Sequence, residues 1–207
     1  MVDNFEKLNY IMKCNSGHSY YFFIALKRKK DNPDECMKDS KIIQTWIVTD
    51  YDDLEQYIDE MKKIIIDNKC RLYMYTDRKS YVKSMINLRD DVMKLLDSAL
   101  CNPNVEFSAK NYAKLLTSNS RKDSSSDKES KYWLFDIDSK NEVLLNRVVN
   151  CCGECYKATF ETVGGYHIVA ERKFNAHAEL SALKYRTIGE VPVEVKENAM
   201  VLIATGF

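Results

Sequence analysis

The chain has 207 residues, 45% hydrophobic and 30% charged, with six Gly and three Pro, which excludes a disordered chain and collagen-like or Pro-rich architectures. Its 31 Lys+Arg balance 31 Asp+Glu, so no global basic field holds nucleic acid without a shaped site, although a local basic groove is compatible with zero net charge. No segment approaches the roughly 18–20 apolar residues of a membrane span, and Met1-Val-Asp-Asn-Phe-Glu-Lys7 carries neither the basic nor the apolar part of a leader, so a cytoplasmic protein without a membrane partner is expected.

In chain order, Leu8–Cys14 and the aromatic run Ser19–Leu26 read as a hairpin around the turn Asn15-Ser16-Gly17. Residues 27–40 form a charged loop. Its basic run Lys27-Arg28-Lys29-Lys30 is a solvated strand end in the simplest reading and a phosphate contact in the sharper one. Ile42–Thr49 is rich in β-branched residues and reads as a strand. Asp50 to Asp53 cap a helix in which Leu54, Tyr57, Ile58, Met61, Ile64 and Ile65 keep helical spacing. Arg71–Tyr75 is a strand with Leu72 and Met74 on one face and Tyr73 and Tyr75 on the other. Thr76-Asp77 lead into a long helix carrying Tyr81, Met85, Leu88, Val92, Leu95 and Leu96, stopped by Cys101-Asn102-Pro103-Asn104; Ser108–Leu116 is a further helix.

Residues 117–131 carry no apolar side chain and read as a flexible linker or loop. They divide the chain into an N-terminal α/β unit, 1–116, and a C-terminal one, 132–207. In the latter, Tyr132–Asp138 reads as a strand, Glu142–Val149 as a helix, and Ala158–Thr162 with Tyr166–Ala170 as a hairpin around Gly164-Gly165. Ala176–Tyr185 follows as a helix, and two short strands, Val191–Val195 and Ala199–Ala204, close the chain. The expected class is α+β, a mixed α/β chain of two units with largely antiparallel sheets.

Seven Cys without an export signal read as free thiols. Cys151, Cys152 and Cys155 contain one CxxC, and neither His167 nor His177 stands at ligand spacing, so no zinc is expected. The 13 Tyr suit core and half-buried strand positions first and base stacking second. Asp77-Arg78-Lys79, after a Tyr-bearing strand, is either a solvated strand end or a stacking group beside a phosphate group.

The residues with most chemistry are Asp136, Asp138 and His167. Alternation puts Asp136 and Asp138 on one strand face, about 6.5–7 Å apart. Two such carboxylates either reach solvent or share a divalent cation such as Mg²⁺ or Mn²⁺, as two-metal phosphoryl transfer requires. Gly164 and Gly165 allow close backbone approach to a phosphate, and His167 can donate to it; alternatively they form a tight turn beside a half-buried histidine.

A strand with DxD, a helix, then a hairpin with GGxH resembles the archaeo-eukaryotic primase–polymerase superfamily, on Trp133-Leu-Phe-Asp-Ile-Asp138 and Thr162-Val-Gly-Gly-Tyr-His-Ile-Val169. The resemblance implies nucleotidyl or phosphoryl transfer on nucleic acid, with a nucleoside triphosphate as substrate. Asp136 and Asp138 would hold the metals, and Gly164, Gly165 and His167 the phosphates. Arg172 or Lys173 would neutralise developing charge, though alternation sends these two to opposite faces, and Arg147 lies on the preceding helix. The family's third carboxylate falls best on Glu194, less well on Glu197 or Glu179. Without it the scaffold becomes a non-catalytic nucleic-acid-binding or protein-interaction accessory protein. The small size and Tyr- and Lys-rich composition also look like proteins of tailed phages, which implies the host cytoplasm.

Overall fold

The computed structural model describes residues 1–12, 18–102, 109–127, 130–185 and 193–207. The fold is mixed α+β, as the sequence implies, with two largely antiparallel sheets. In chain order the elements are β1 (Ser19–Arg28), β2 (Ser40–Val48), α1 (Tyr51–Glu55), α2 (Ile58–Asp67), β3 (Arg71–Tyr75), β4 (Lys79–Ser80), α3 (Tyr81–Cys101) and α4 (Ala109–Arg121). Then follow β5 (Tyr132–Ile137), α5 (Glu142–Cys152), β6 (Tyr156–Glu161), β7 (Tyr166–Glu171), α6 (Ala176–Tyr185), β8 (Val193–Glu197) and β9 (Met200–Thr205). Side-chain caps start the helices where the sequence places them. Asp50 accepts from Asp53 N–H, Ser80 from Lys83 N–H, and Asn141 from the N–H groups of Val143 and Leu144.

The first sheet runs β2-β1-β3-β9, with β4 paired to β1, and the second runs β6-β7-β5-β8. Because β8 and β9 follow one another yet belong to different sheets, the chain's last strand returns to the sheet of its first half. The sheets therefore do not divide at residues 117–131. The crossing is made at Asn198, whose φ of 45° is left-handed, a conformation that Asn adopts more readily than most residues.

Alternation sorts the side chains. Trp133, Phe135 and Ile137 face α5 and α6, while Tyr132 and Leu134 face the first sheet and share a core with Tyr21, Phe23, Leu72, Met74, Val201 and Ile203. At the β9 edge the sheets are joined by Asn4, whose Nδ2 donates to the carbonyls of Glu161 (2.9 Å) and Leu202 (3.2 Å) and whose Oδ1 accepts from Glu161 N–H. The shared core fills one side of this junction. On the other side, where Tyr73, Tyr75, Met200 and Leu202 project, a cleft opens.

Two expectations are corrected. Residues 5–10 form a 3₁₀ helix that buries Phe5 and Leu8, not the first arm of a hairpin. Their i, i+3 apolar spacing fits a helical face better than alternation; the turn at Asn15-Ser16-Gly17 lies outside the described residues. The described part of the 117–131 stretch, 117–127 with 130 and 131, is also built into the body. Its first residues extend α4, and Asn119, Ser120, Ser125, Ser126 and Ser130 are buried. Lacking apolar side chains, Ser125 and Ser126 bury by hydrogen bonding: Ser125 Oγ donates to Asn119 O (2.7 Å), and Ser126 Oγ accepts from the buried Lys79 Nζ (2.8 Å).

Candidate functional site

Strand β5 is central in the second sheet, so each of its residues has a neighbour on both sides. Asp136 stands opposite His167 on β7 and opposite Glu194 on β8. Directly opposed residues share a face, and this face looks towards the first sheet. Asp136 Oδ1 is 3.3 Å from His167 Nε2, and Oδ2 accepts from Lys196 Nζ at 2.6 Å. The same ammonium lies 3.1 Å from Glu194 Oε2.

The histidine is held from both ends. Its Nδ1 accepts the Leu202 backbone N–H at 3.2 Å, which assigns the ring proton to Nε2, directed at Asp136. Asp136 is consequently held well below the usual carboxylate range, chiefly by the His167 hydrogen bond, with Lys196 adding to it against the opposing effect of burial. Lys196 is pushed up: burial acts against its charge, but Asp136 and Glu194 outweigh it.

The cleft has a volume of about 770 Å³ and is walled by both sheets. Asp136, Asp138, Gly164 and His167 line it together, so the two motifs do meet in one site. Asp138 lies one residue beyond the strand end and is exposed. The two glycines differ. A Cβ on Gly165 would stand 1.8 Å from Ile137 O, whereas one on Gly164 would meet nothing within 4 Å. Gly165 is thus required by the close packing of its turn on the end of β5, and its N–H is already given to Thr162 Oγ1 at 2.9 Å.

The other candidate residues lie elsewhere. Arg172 packs its guanidinium over Trp133, 4.5 Å from the ring centroid, on the helix-covered face of the sheet, and pairs with Glu197 at 2.8 Å. Lys173 is exposed and pairs with Glu171 at 2.5 Å. Neither lines the cleft. Glu194 is mostly exposed, its side chain directed to Lys196. Arg147 and Glu179 are exposed on α5 and α6, the helices on the opposite face. Cys152 is buried in that same helix-covered cluster, its thiol pushed up to about 12 by burial, with Cys151 and Cys155 packed beside it.

The first-sheet wall carries groups that single-residue reading passed over or read only as part of a run. Arg28, Lys30, Arg71, Tyr73 and Tyr75 all line the cleft. Arg28 Nη1 donates to Tyr73 Oη at 3.2 Å, and buried Arg71 makes a two-pronged pair with Asp31 at 2.7 and 2.5 Å. Lys30 is lowered from its ordinary value by burial first, then by the charges of Arg28 and Arg71; Asp31 and, from the opposite wall, Asp138 act the other way. The sequence signal was the basic run after β1 together with the Tyr face of β3. Lys196 had a signal only through register, because it shares Glu194's face two residues on.

Metal fit can be judged from these contacts. A cation bridging Asp136 and Glu194 would need the position that the Lys196 ammonium takes, and the second Asp136 oxygen faces the His167 N–H. Among the described residues no group of three or more His, Cys, Asp or Glu side chains is gathered for a metal ion. As arranged, Asp136 and Glu194 are bridged by the Lys196 ammonium. No protein-family model matches the chain, and neither does any curated protein or solved structure.

Proposed function

We propose that the cleft binds a phosphate-bearing aromatic ligand, a nucleotide or the terminal nucleotide of a single strand, without a metal bridging Asp136. The observation that carries this reading is the cation cluster on the first-sheet wall. Arg28 donates to Tyr73, and Lys30, exposed on the same wall, is lowered by partial burial and by the charges of Arg28 and Arg71. An incoming phosphate relieves that crowding, and the half-buried Tyr75 offers ring surface to a base. The opposite wall, with Asp136 and Asp138, supplies acceptors for base amino or ribose hydroxyl donors. A volume of about 770 Å³ falls in the ordinary range of ligand clefts, about 300–1,000 Å³. His167 acts here through Asp136: with both ring nitrogens engaged, it orients the carboxylate and leaves phosphate contact to the opposite wall.

Metal-dependent nucleotidyl transfer is the second reading, favoured by Asp136, Asp138 and His167 sharing one cleft. The test is calorimetric titration of the protein with a nucleoside monophosphate, a nucleoside triphosphate and a short single-stranded oligonucleotide, each in EDTA and in Mn²⁺. Binding that survives EDTA and weakens about tenfold or more in Arg28→Ala or Lys30→Ala supports the metal-free cleft. Binding seen only with Mn²⁺ and lost in Asp136→Ala or Asp138→Ala supports the transfer reading instead. If nothing binds in either buffer, the cleft is not a nucleotide site.

A further inference from the structure

Outside the cleft, α3 carries a feature that neither sheet explains. Ser84 and Leu88 are buried against the body, where Asp91 also meets Lys122 and Asn119 of the α4 end. On the opposite face stand Val82, Ile86, Arg89, Met93, Leu96 and Leu100. Their numbers step by four and three alternately, the seam of a coiled coil. The five apolar members are all exposed, from 39% at Leu96 to 85% at Leu100, and Met85 beside them is 58% exposed. A stripe of this length is more than the scattered apolar residues of an ordinary surface.

We propose that this face pairs with the α3 of a second copy of the chain, antiparallel. Charge selects the occupant and the direction. Apart from Lys94, the cations of the helix, Lys83 and Arg89, lie in its first half, and the anions Asp90, Asp91 and Asp97 follow. Antiparallel pairing centred on residue 91 sets Val82 against Leu100, Ile86 against Leu96 and Arg89 against Met93 of the other copy. It also brings Lys83 beside Asp97 across the seam and sets the two Asp90 carboxylates together at its centre, between the Arg89 guanidiniums of the two copies. Arg89 pairs with its own neighbour Asp90, at 2.7 Å with both side chains largely exposed, while Lys83 donates to Ser126 O at 2.7 Å. A parallel pair would set like charges side by side and align the two helix dipoles unfavourably. The balanced net charge of the chain adds no general repulsion between copies.

Sedimentation equilibrium of the full chain tests this, with circular dichroism confirming that each variant keeps its fold. Wild type is expected to be dimeric at micromolar concentration. Ile86→Asp should weaken the dimer by about 100-fold or more, since the substitution enters the seam twice. Arg89→Asp and Asp90→Arg should each weaken it, and the double swap should restore it. A monomeric wild type overturns the proposal, as does a dimer indifferent to Ile86→Asp. So does a wild type that stays monomeric but floats with anionic phospholipid vesicles, which would make the stripe a membrane face. Failure of the double swap to rescue overturns the antiparallel register.

Discussion

Two clusters in this protein each set an aspartate near a lysine, Asp77 in the bend after β3 near Lys79 and Asp136 of β5 in an ion pair with Lys196, and they behave in opposite ways. Asp77 and Lys79 are both fully buried, and the lysine donates to Lys122 O and Ser126 Oγ beyond the end of α4. Burial dominates there: Lys79 is lowered to about 8 and Asp77 is raised. Asp136 and Lys196 line the cleft, and partners dominate: Asp136 is lowered and Lys196 raised. The sign of the shift separates a closed, buried cluster from an ion pair on the cleft wall.

The largest expected effect comes from breaking the closed cluster. Lys79→Ala removes the donor to Ser126 Oγ, Lys122 O and Asn198 Oδ1 and leaves a void; a loss of about 3 kcal/mol is expected in urea unfolding. The same residue sets a pH signature. Its folded-state value near 8 lies below the ordinary 10.5, so between these values the unfolded chain binds the extra proton and stability rises with pH. Lys79→Met should flatten that rise in urea midpoints measured across the window. Asp136 runs the other way: its contribution is present at neutral pH and is lost as acid protonates it below its ordinary 3.8.

Smaller effects belong to the cleft and its rim. Gly165→Ala drives a methyl group into Ile137 O and should cost about 2 kcal/mol, whereas Gly164→Ala, with open space around it, should stay within about 0.5 kcal/mol. Equal losses in thermal unfolding would mean that the turn does not pack on β5. Between these falls Asp136→Asn. Its amide oxygen can still accept from His167 but no longer pairs with the Lys196 charge, so about 1 kcal/mol is expected, with the acid-side dependence removed. If Asp136→Asn destabilises more than Lys79→Ala, the contrast between the two clusters fails.

Much of the local structure was legible because its causes are local. Asp50 and Asn141 cap their helices, Leu72 and Tyr73 alternate across β3 into different clusters, and the Gly-Gly turn joins β6 to β7. Asp136 and Asp138 could be set on one strand face for the same reason. Burial by hydrogen bonding was not legible: hydropathy reads the serine-rich stretch as exposed, whereas Ser126 Oγ meets a lysine from β4 and Ser125 Oγ a carbonyl of α4. Arg172 also eluded local reading, since what draws it is the ring of Trp133 on a neighbouring strand.

From its own residues, then, the chain determined an α+β fold, the periods of its strands and helices, and the pair of motifs that meet in one cleft. Tertiary structure alone decided that β9 returns to the first sheet, that Arg28, Lys30 and Tyr73 face Asp136 and Asp138 across the gap, and that Lys196 stands where a bridging cation would. The reason is physical. Alternation and capping act between residues a few positions apart, whereas strand order and cross-strand register depend on which distant surfaces bury best together.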